Sequence, residues 1–340
     1  MEAASTIELT RVGLLPNVQY FLPPDPISEE TNPLLLPLHC PQCSCNRKAK
    51  NLLKRTYTSL FPRKEISDSC VRAQKWCQTA GVSENSEALY IEILSNSIES
   101  EYSEQIERDI DRSFPDLYYF TLGEGKIALK RVLSSFSRFL PNIGYVQGMN
   151  YLVGTLLWHA SEADTFWLLV NLMQNYKLYE NYIENFPGLE KHCHIIDFLI
   201  SNYQPKLYQH FLQYGLITQM YATDWCFTIF TCLLPINYSY FVLGKFFKSG
   251  WIYFYKLVLE ILDRLEEQIL GCDNIAKILA SLKPYTTGKK HSKKFVKNLA
   301  KGGERLNWKK LAKQAQLREI DENVISCLDR NAENLHTAGL

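Results

Sequence analysis

From about residue 51 to residue 282 the apolar residues return at steps of three and four, the period of a helix with one buried face. Leu129, Val132, Leu133, Phe136 and Leu140 form one stripe. Trp251, Tyr255, Val258, Leu262, Leu265 and Ile269 form another, with Arg264, Glu266 and Glu267 set off it. Phe166, Trp167, Leu169, Val170 and Met173 make a third, preceded by Ser161 and Asp164, two residues of the kind that cap a helix N-terminus. No segment alternates strictly between hairpin turns, and no stretch repeats. The pattern predicts an all-α fold of many helices with no sheet.

At both ends the pattern stops. Residues 1–50 are rich in proline and polar residues and lack a sustained helical period, which reads as a flexible extension. Residues 283–340 open on a strongly basic run in which Glu304 is the only acid before Glu319, giving a basic helical tail. Between Trp225 and Gly244 there is no charged residue, a length that invites comparison with a membrane span. Pro235 in its middle lacks a backbone donor, and Asn237, Tyr238 and Ser239 would set polar groups at bilayer depth. Two buried helices broken at Pro235 are the expectation instead.

Composition agrees with a folded chain that can bury a sizeable core: 340 residues, 46% hydrophobic and 13% aromatic. A formal net charge of +1 gives no general argument for nucleic acid as a partner. The ten cysteines are scattered and Glu2 follows Met1 where a secretory signal would become basic and then apolar. These features point to a reduced, cytoplasmic chain.

The Gly-rich phosphate loops are absent, as are HExxH and GxSxG, so the chain is not expected to bind a nucleotide in the usual loops or to be a self-standing hydrolase. Two local constellations remain. Over residues 106–115, IERDIDRSFP, Ile106 and Ile110 share one helix face, while Asp109 and Arg112 are neighbours at i and i+3. That spacing lets a carboxylate hold a guanidinium, although such pairs are also common on solvated faces, and Pro115 marks the expected helix end. Over residues 144–150, GYVQGMN, Gln147 sits between glycines at the start of an apolar helix, either presenting its amide outward or serving an ordinary turn.

Together the two segments resemble the signature motifs of the TBC-domain family of Rab GTPase-activating proteins: IxxDxxR, here Ile106, Asp109 and Arg112, and YxQGMN, here Tyr145, Gln147, Gly148, Met149 and Asn150. The resemblance runs from residue 66 to 270. Arg72 to Trp76 is similar to the opening RGxxW segment with Ala73 in place of glycine. Segments around Phe166–Trp167, Trp225–Phe230 and Phe246–Trp251 follow in the family's order, and Gly244 stands where an RxWD segment usually has aspartate.

The resemblance implies a TBC domain of two helical halves over residues 51–282. It implies a Rab-family GTPase in its GTP form as partner, with GTP and Mg2+ carried by that partner and no cofactor in this chain. Arg112 would be an arginine finger and Gln147 a glutamine finger supplied in trans, with Asp109 orienting Arg112 and Tyr145, Gly148 and Asn150 in support. The implied role is control of vesicle traffic from the cytoplasm; peripheral placement on endomembranes would rest on the basic tail. The intact Arg112 and Gln147 favour a catalytic activator; a scaffold that binds a GTPase or a complex partner without accelerating it is the alternative, for which Gly244 and the irregular opening motif leave room.

Two further signals carry less. Cys40, Cys43 and Cys45, beside His39, supply part of a zinc site, but a closed site takes four ligands and no second CxxC follows; completion would fall to Cys70 or Cys77, and unligated cysteines are the preferred reading. His192, Cys193 and His194 read as helix surface and core. In the basic tail Phe295, Leu299, Leu306, Trp308 and Leu311 suggest a solvated final helix covering the domain. Contact with anionic membrane is the second reading, and no nucleic-acid module accompanies the charge.

Overall fold

The computed structural model describes residues 73–82, 86–95, 100–115, 117–121, 123–282 and 308–337, the last seven of these by their backbone only. Among them every regular element is helical, as the periodicity requires. The proline-rich residues 1–50, with Cys40, Cys43 and Cys45, and most of the basic run lie outside the described residues. The described residues form two compact units, one of those up to Tyr145 together with Leu156–Asn175, the other of Val146–Thr155 and the described residues from Tyr176 onward.

In the first unit a helical segment over residues 73–80 precedes α1 (Ser86–Ser95), α2 (Ser103–Asp111), the short α3 (Tyr118–Thr121) and α4 (Glu124–Phe139). The next helix, α5 (Met149–His159), starts in the second unit and ends in the first, and α6 (Glu162–Gln174) completes the first unit. The predicted stripe on α4 is fully buried, from Leu129 through Leu140. It packs against α2, whose inward residues are Ile106 and Ile110, and against α6. Ser161 proves to be the cap of α6, its Oγ accepting the Asp164 amide at 3.1 Å.

A buried polar cluster ties three of these helices. The Glu162 carboxylate takes the Arg131 guanidinium on both oxygens, at 2.7 and 2.6 Å, and the Tyr90 hydroxyl donates to it at 2.8 Å. Glu162, at 8% exposure, is thereby satisfied on both oxygens, while Arg131 keeps about a quarter of its side chain in solvent. On the helical segment over residues 73–80, burial, and then Asp164 beside it, push the Cys77 thiol up.

The second unit contains a 3-10 turn (Leu178–Asn181), α7 (Pro187–Tyr203), α8 (Pro205–Gln213), α9 (Gln219–Thr228), α10 (Ile236–Leu270), α11 (Ile275–Leu282), α12 (Trp308–Leu317) and α13 (Glu322–Thr337). No helix among the described residues is long and apolar enough to cross a membrane. The uncharged run 225–244 divides earlier than Pro235: α9 ends at Thr228, Ile229 and Phe230 turn left-handed, and Pro235 caps the start of α10. Trp225 and Phe230 enter the core, Trp225 on Phe230 and Phe230 on Phe254 at ring separations of 5.3 and 4.9 Å, while Tyr238 stays exposed.

A second break divides α10 at Gly250, where φ is 57° and ψ is −144°, a conformation open essentially to glycine. Tyr176 bridges the break. Its hydroxyl donates to the Phe247 carbonyl at 2.6 Å, and its own carbonyl accepts the Trp251 indole N–H at 2.7 Å.

Of the residues expected to cover the domain from the tail, Phe295, Leu299 and Leu306 lie outside the described residues; Trp308 and Leu311 are buried, and with Ala312 and Ala315 they form the inner face of α12 against α10. Arg264 donates to Gln314 at 3.0 Å and Lys256 pairs with Glu322 at 3.0 Å. Lys191, 5% exposed, reaches Glu180 at 2.7 Å and Asp329 of α13 at 2.9 Å.

His192 is buried, stacked on Trp251 at 3.6 Å, with Nδ1 2.7 Å from the Tyr255 hydroxyl. Burial, and then the Lys191 charge, hold its pKa well below the ordinary 6.5. The folded protein therefore keeps this imidazole neutral while the unfolded chain protonates it below pH 6.5, so the contribution is present above that pH and is lost as pH falls. Thermal melts are expected to show stability declining below pH 6.5 by up to about 1.4 kcal/mol per pH unit from this group. His192→Gln should flatten that part of the profile; an identical profile would remove the assignment.

Candidate functional site

The IERDIDRSFP segment forms α2 and the turn after it, and the helix ends sooner than Pro115 suggests. Asp111 is the last helical residue and Arg112 the C-cap, at φ −101° and ψ −2°. The Ser113 amide donates to the Ile110 carbonyl at 3.0 Å and its hydroxyl to the Asp109 carbonyl at 2.6 Å, supplying partners to carbonyls that a helix end leaves open. Phe114 then turns left-handed, φ 45°, with its ring 4.8 Å from that of Phe120. Backbone strain of this kind, in a bulky residue two positions after Arg112, is held in place by packing.

Ile106 and Ile110 are sunk in the core, which fixes the helix face that carries Asp109. Asp109 is 4% exposed, and both carboxylate oxygens are used. Oδ1 pairs with Arg112 Nη2 at 2.6 Å, and Oδ2 accepts the hydroxyl of the buried Tyr145 at 2.6 Å. The Arg112 side chain, 54% exposed, is thus held at its guanidinium end by a buried acid and remains open to solvent. The geometry brings three of the sequence-predicted residues together, Asp109, Arg112 and Tyr145. A planar guanidinium so placed presents its remaining donors to an anion from outside the chain.

Two further ion pairs link α2 to α4. Lys126 on α4 reaches Asp111 at 2.6 Å, and Lys130 reaches Glu107. All four side chains are well exposed, so each pair adds little energy, and their effect is to orient the outer face of α2.

Gln147, Gly148 and Asn150 fall in the second unit. Gln147 is exposed and stands two residues before α5, with the Met149 amide bonded to the Val146 carbonyl at 3.2 Å. Gly148 has φ 111°, a conformation that side chains disfavour, and a β-carbon there would meet only ordinary contact with Thr228, at 3.5 Å. The demand on this glycine is therefore conformational. Its amide donates to Oδ1 of the buried Asn150 at 3.0 Å, so Asn150 shapes the turn that leaves Gln147 at the surface.

Among the described residues no group of three or more His, Cys, Asp and Glu side chains is placed to hold a metal. His194 is exposed while His192 and Cys193 are buried, so these three do not converge. Gly244 lies half-buried within the first part of α10.

The family model described as Rab-GTPase-TBC domain matches residues 69–270. Among curated relatives, the chain is similar to the Rab GTPase-activating protein eat-17 of Caenorhabditis elegans, 33% identical over 186 residues covering 54% of this chain and 21% of that one. It is also similar to the GTPase-activating protein GYP5 of Eremothecium gossypii, 36% identical over 163 residues covering 48% and 19%. The chain thus spans about a fifth of the length of each. Among solved structures, the Chlamydomonas flagellar RabGAP TBC domain superposes with a TM-score of 0.56 at 24% identity, covering 80% of this chain and 84% of that one. The Ypt/Rab-GAP domain of Gyp1p gives 0.58 at 18%, covering 73% and 88%. The matched span covers more than half of the 340 residues and includes both constellations; this chain belongs to the Rab-GTPase-TBC domain family.

Proposed function

We propose that this chain is a GTPase-activating protein for a Rab-family GTPase in its GTP form, contributing Arg112 and Gln147 to the active site of its partner. The observation that carries the reading is the shared Asp109 carboxylate, which holds Arg112 from within the core and leaves the guanidinium exposed. The partner brings GTP and Mg2+. This chain brings positive charge and a water-orienting amide.

A small GTPase alone is slow because its site lacks charge to match that developing on the transferring phosphoryl group and holds the attacking water poorly. Arg112 offsets the charge. Gln147, exposed on its short turn, orients the water. Because Asp109 fixes the guanidinium before the partner arrives, less rotamer freedom is lost when the complex forms. Asn150 and Gly148 act on Gln147 through the turn they build. Exposed Lys310 and Lys313 on α12 suit a peripheral, salt-sensitive contact with anionic membrane, where each basic residue near the surface adds about 1 kcal/mol. The setting proposed is cytoplasmic, in control of vesicle traffic.

Purified protein assayed across a panel of GTP-loaded Rab proteins is expected to accelerate hydrolysis on at least one. Arg112→Ala should lower the stimulated rate by about 10³–10⁵-fold, equivalent to about 4–7 kcal/mol, and, because it leaves the buried Asp109 without its cation, should also lower the melting temperature of a protein that still folds. Gln147→Ala should also lower it strongly. No acceleration on any member, or an Arg112→Ala protein as active as the parent, would leave a scaffold that binds without catalysing.

Tyr145→Phe removes one of two partners of a buried carboxylate. Hydrogen bonds to charged groups contribute about 1.5–3 kcal/mol, so an unfolding free energy reduced by that order, read as a lower denaturant midpoint at unchanged slope, is expected together with a lower stimulated rate. An unshifted midpoint would mean that the Tyr145 hydroxyl does not support Asp109.

A further inference from the structure

Gly144, one residue before Tyr145, is left-handed, φ 63°, where the chain leaves α4. The Ile143 and Gly144 amides both donate to the Leu140 carbonyl, at 3.0 and 2.9 Å, closing the last turn. A β-carbon on Gly144 would stand 2.4 Å from both Cζ and the hydroxyl oxygen of Tyr102, and 2.7 Å from Cε2. The phenol end of Tyr102 is thus seated on the Gly144 backbone, in space that any other residue would claim.

Tyr102 is itself held in place. It immediately precedes α2, its carbonyl accepts the Ile106 amide at 2.9 Å, and its amide donates to Ser100 Oγ at 3.2 Å. Ser100 Oγ is in turn 2.7 Å from Ser137 Oγ on α4. The turn that carries Tyr102 is therefore pinned to the same helix from which the Gly144 loop departs.

We propose that Tyr102 is a positioning residue for the loop that leads to Gln147. Its ring grips the chain at Gly144 by shape, and the Tyr145–Asp109 hydrogen bond grips the next residue, so that two successive positions are fixed beside α2. Fixing two consecutive residues sets the direction of the chain as well as its place. Gln147 follows two residues on, and the inference deepens the proposed role of that amide and rests on it. The tyrosine acts through the loop and touches no reacting atom.

Hydrogen exchange on the GTPase-free protein reads the grip directly. Over residues 141–148, Tyr102→Ala is expected to speed exchange by about tenfold, and Tyr102→Phe, which keeps the ring, to leave it at the parental rate. In stimulated hydrolysis Tyr102→Ala should lower the maximal rate by about ten- to a hundredfold, the range for a misplaced catalytic group, with half-maximal concentration unchanged. That loss should disappear when Gln147 is already alanine, since the two changes then share one effect. Tyr102→Leu serves the same comparisons if the alanine protein fails to fold. Unchanged exchange in Tyr102→Ala overturns the grip, whatever the chain does to a GTPase. Faster exchange without a rate loss, or a loss of equal size in the Gln147→Ala background, overturns the positioning role. If the parent accelerates no GTPase, the function proposed above falls, and exchange alone decides whether Tyr102 holds the loop.

Discussion

A carboxylate removed from water must find donors for its oxygens, and Asp109 finds two that are far apart in sequence. Arg112 comes from its own helix end, three residues on, while Tyr145 comes from a loop thirty-six residues later. The rest of the candidate site follows from that sharing. The apolar face of α2 must be sunk far enough for Asp109 to be buried, which Ile106 and Ile110 accomplish against α4. The loop after α4 must return to α2, which requires the tight, left-handed Gly144. Arg112 then has a fixed root and an exposed end.

The same economy of polar groups recurs inside each unit. In the first, Glu162 satisfies both Arg131 and Tyr90, joining α1, α4 and α6 at one point. In the second, Tyr176 takes up the Phe247 carbonyl beside the break at Gly250 and gives its own carbonyl to Trp251. Interruptions in helices are therefore matched by specific partners, as buried backbone groups demand.

The helical stripes were legible because burial on one face leaves a period in the chain, and the residues named on α4 are all in the core. The stripe beginning at Trp251 had its physical reason too: Gly250 resets the helix, although an isolated glycine does not reveal its own φ in a sequence. The end of α2 was misplaced at Pro115 because the termination depends on the Ser113 hydroxyl and on Phe114 packing against Phe120, contacts that do not announce themselves locally. Asp109 and Arg112 could be paired from their spacing. That Tyr145 completes the carboxylate, or that Tyr102 sits on Gly144, depends on tertiary contacts across loops, for which spacing supplies no rule.

The family match ends at residue 270, yet the physical domain does not. Trp308, Leu311, Ala312 and Ala315 cover α10, and Lys191 reaches forward to Asp329. A protease cut or an altered transcript that removed these last helices would spare every residue of the signature motifs while uncovering an aromatic and aliphatic strip along α10 and leaving a buried lysine short of one of its acids. Loss of activity from such a lesion would be a matter of folding yield and aggregation, with the chemistry of the fingers untouched. What α10 needs for cover therefore reaches past the end of the family match.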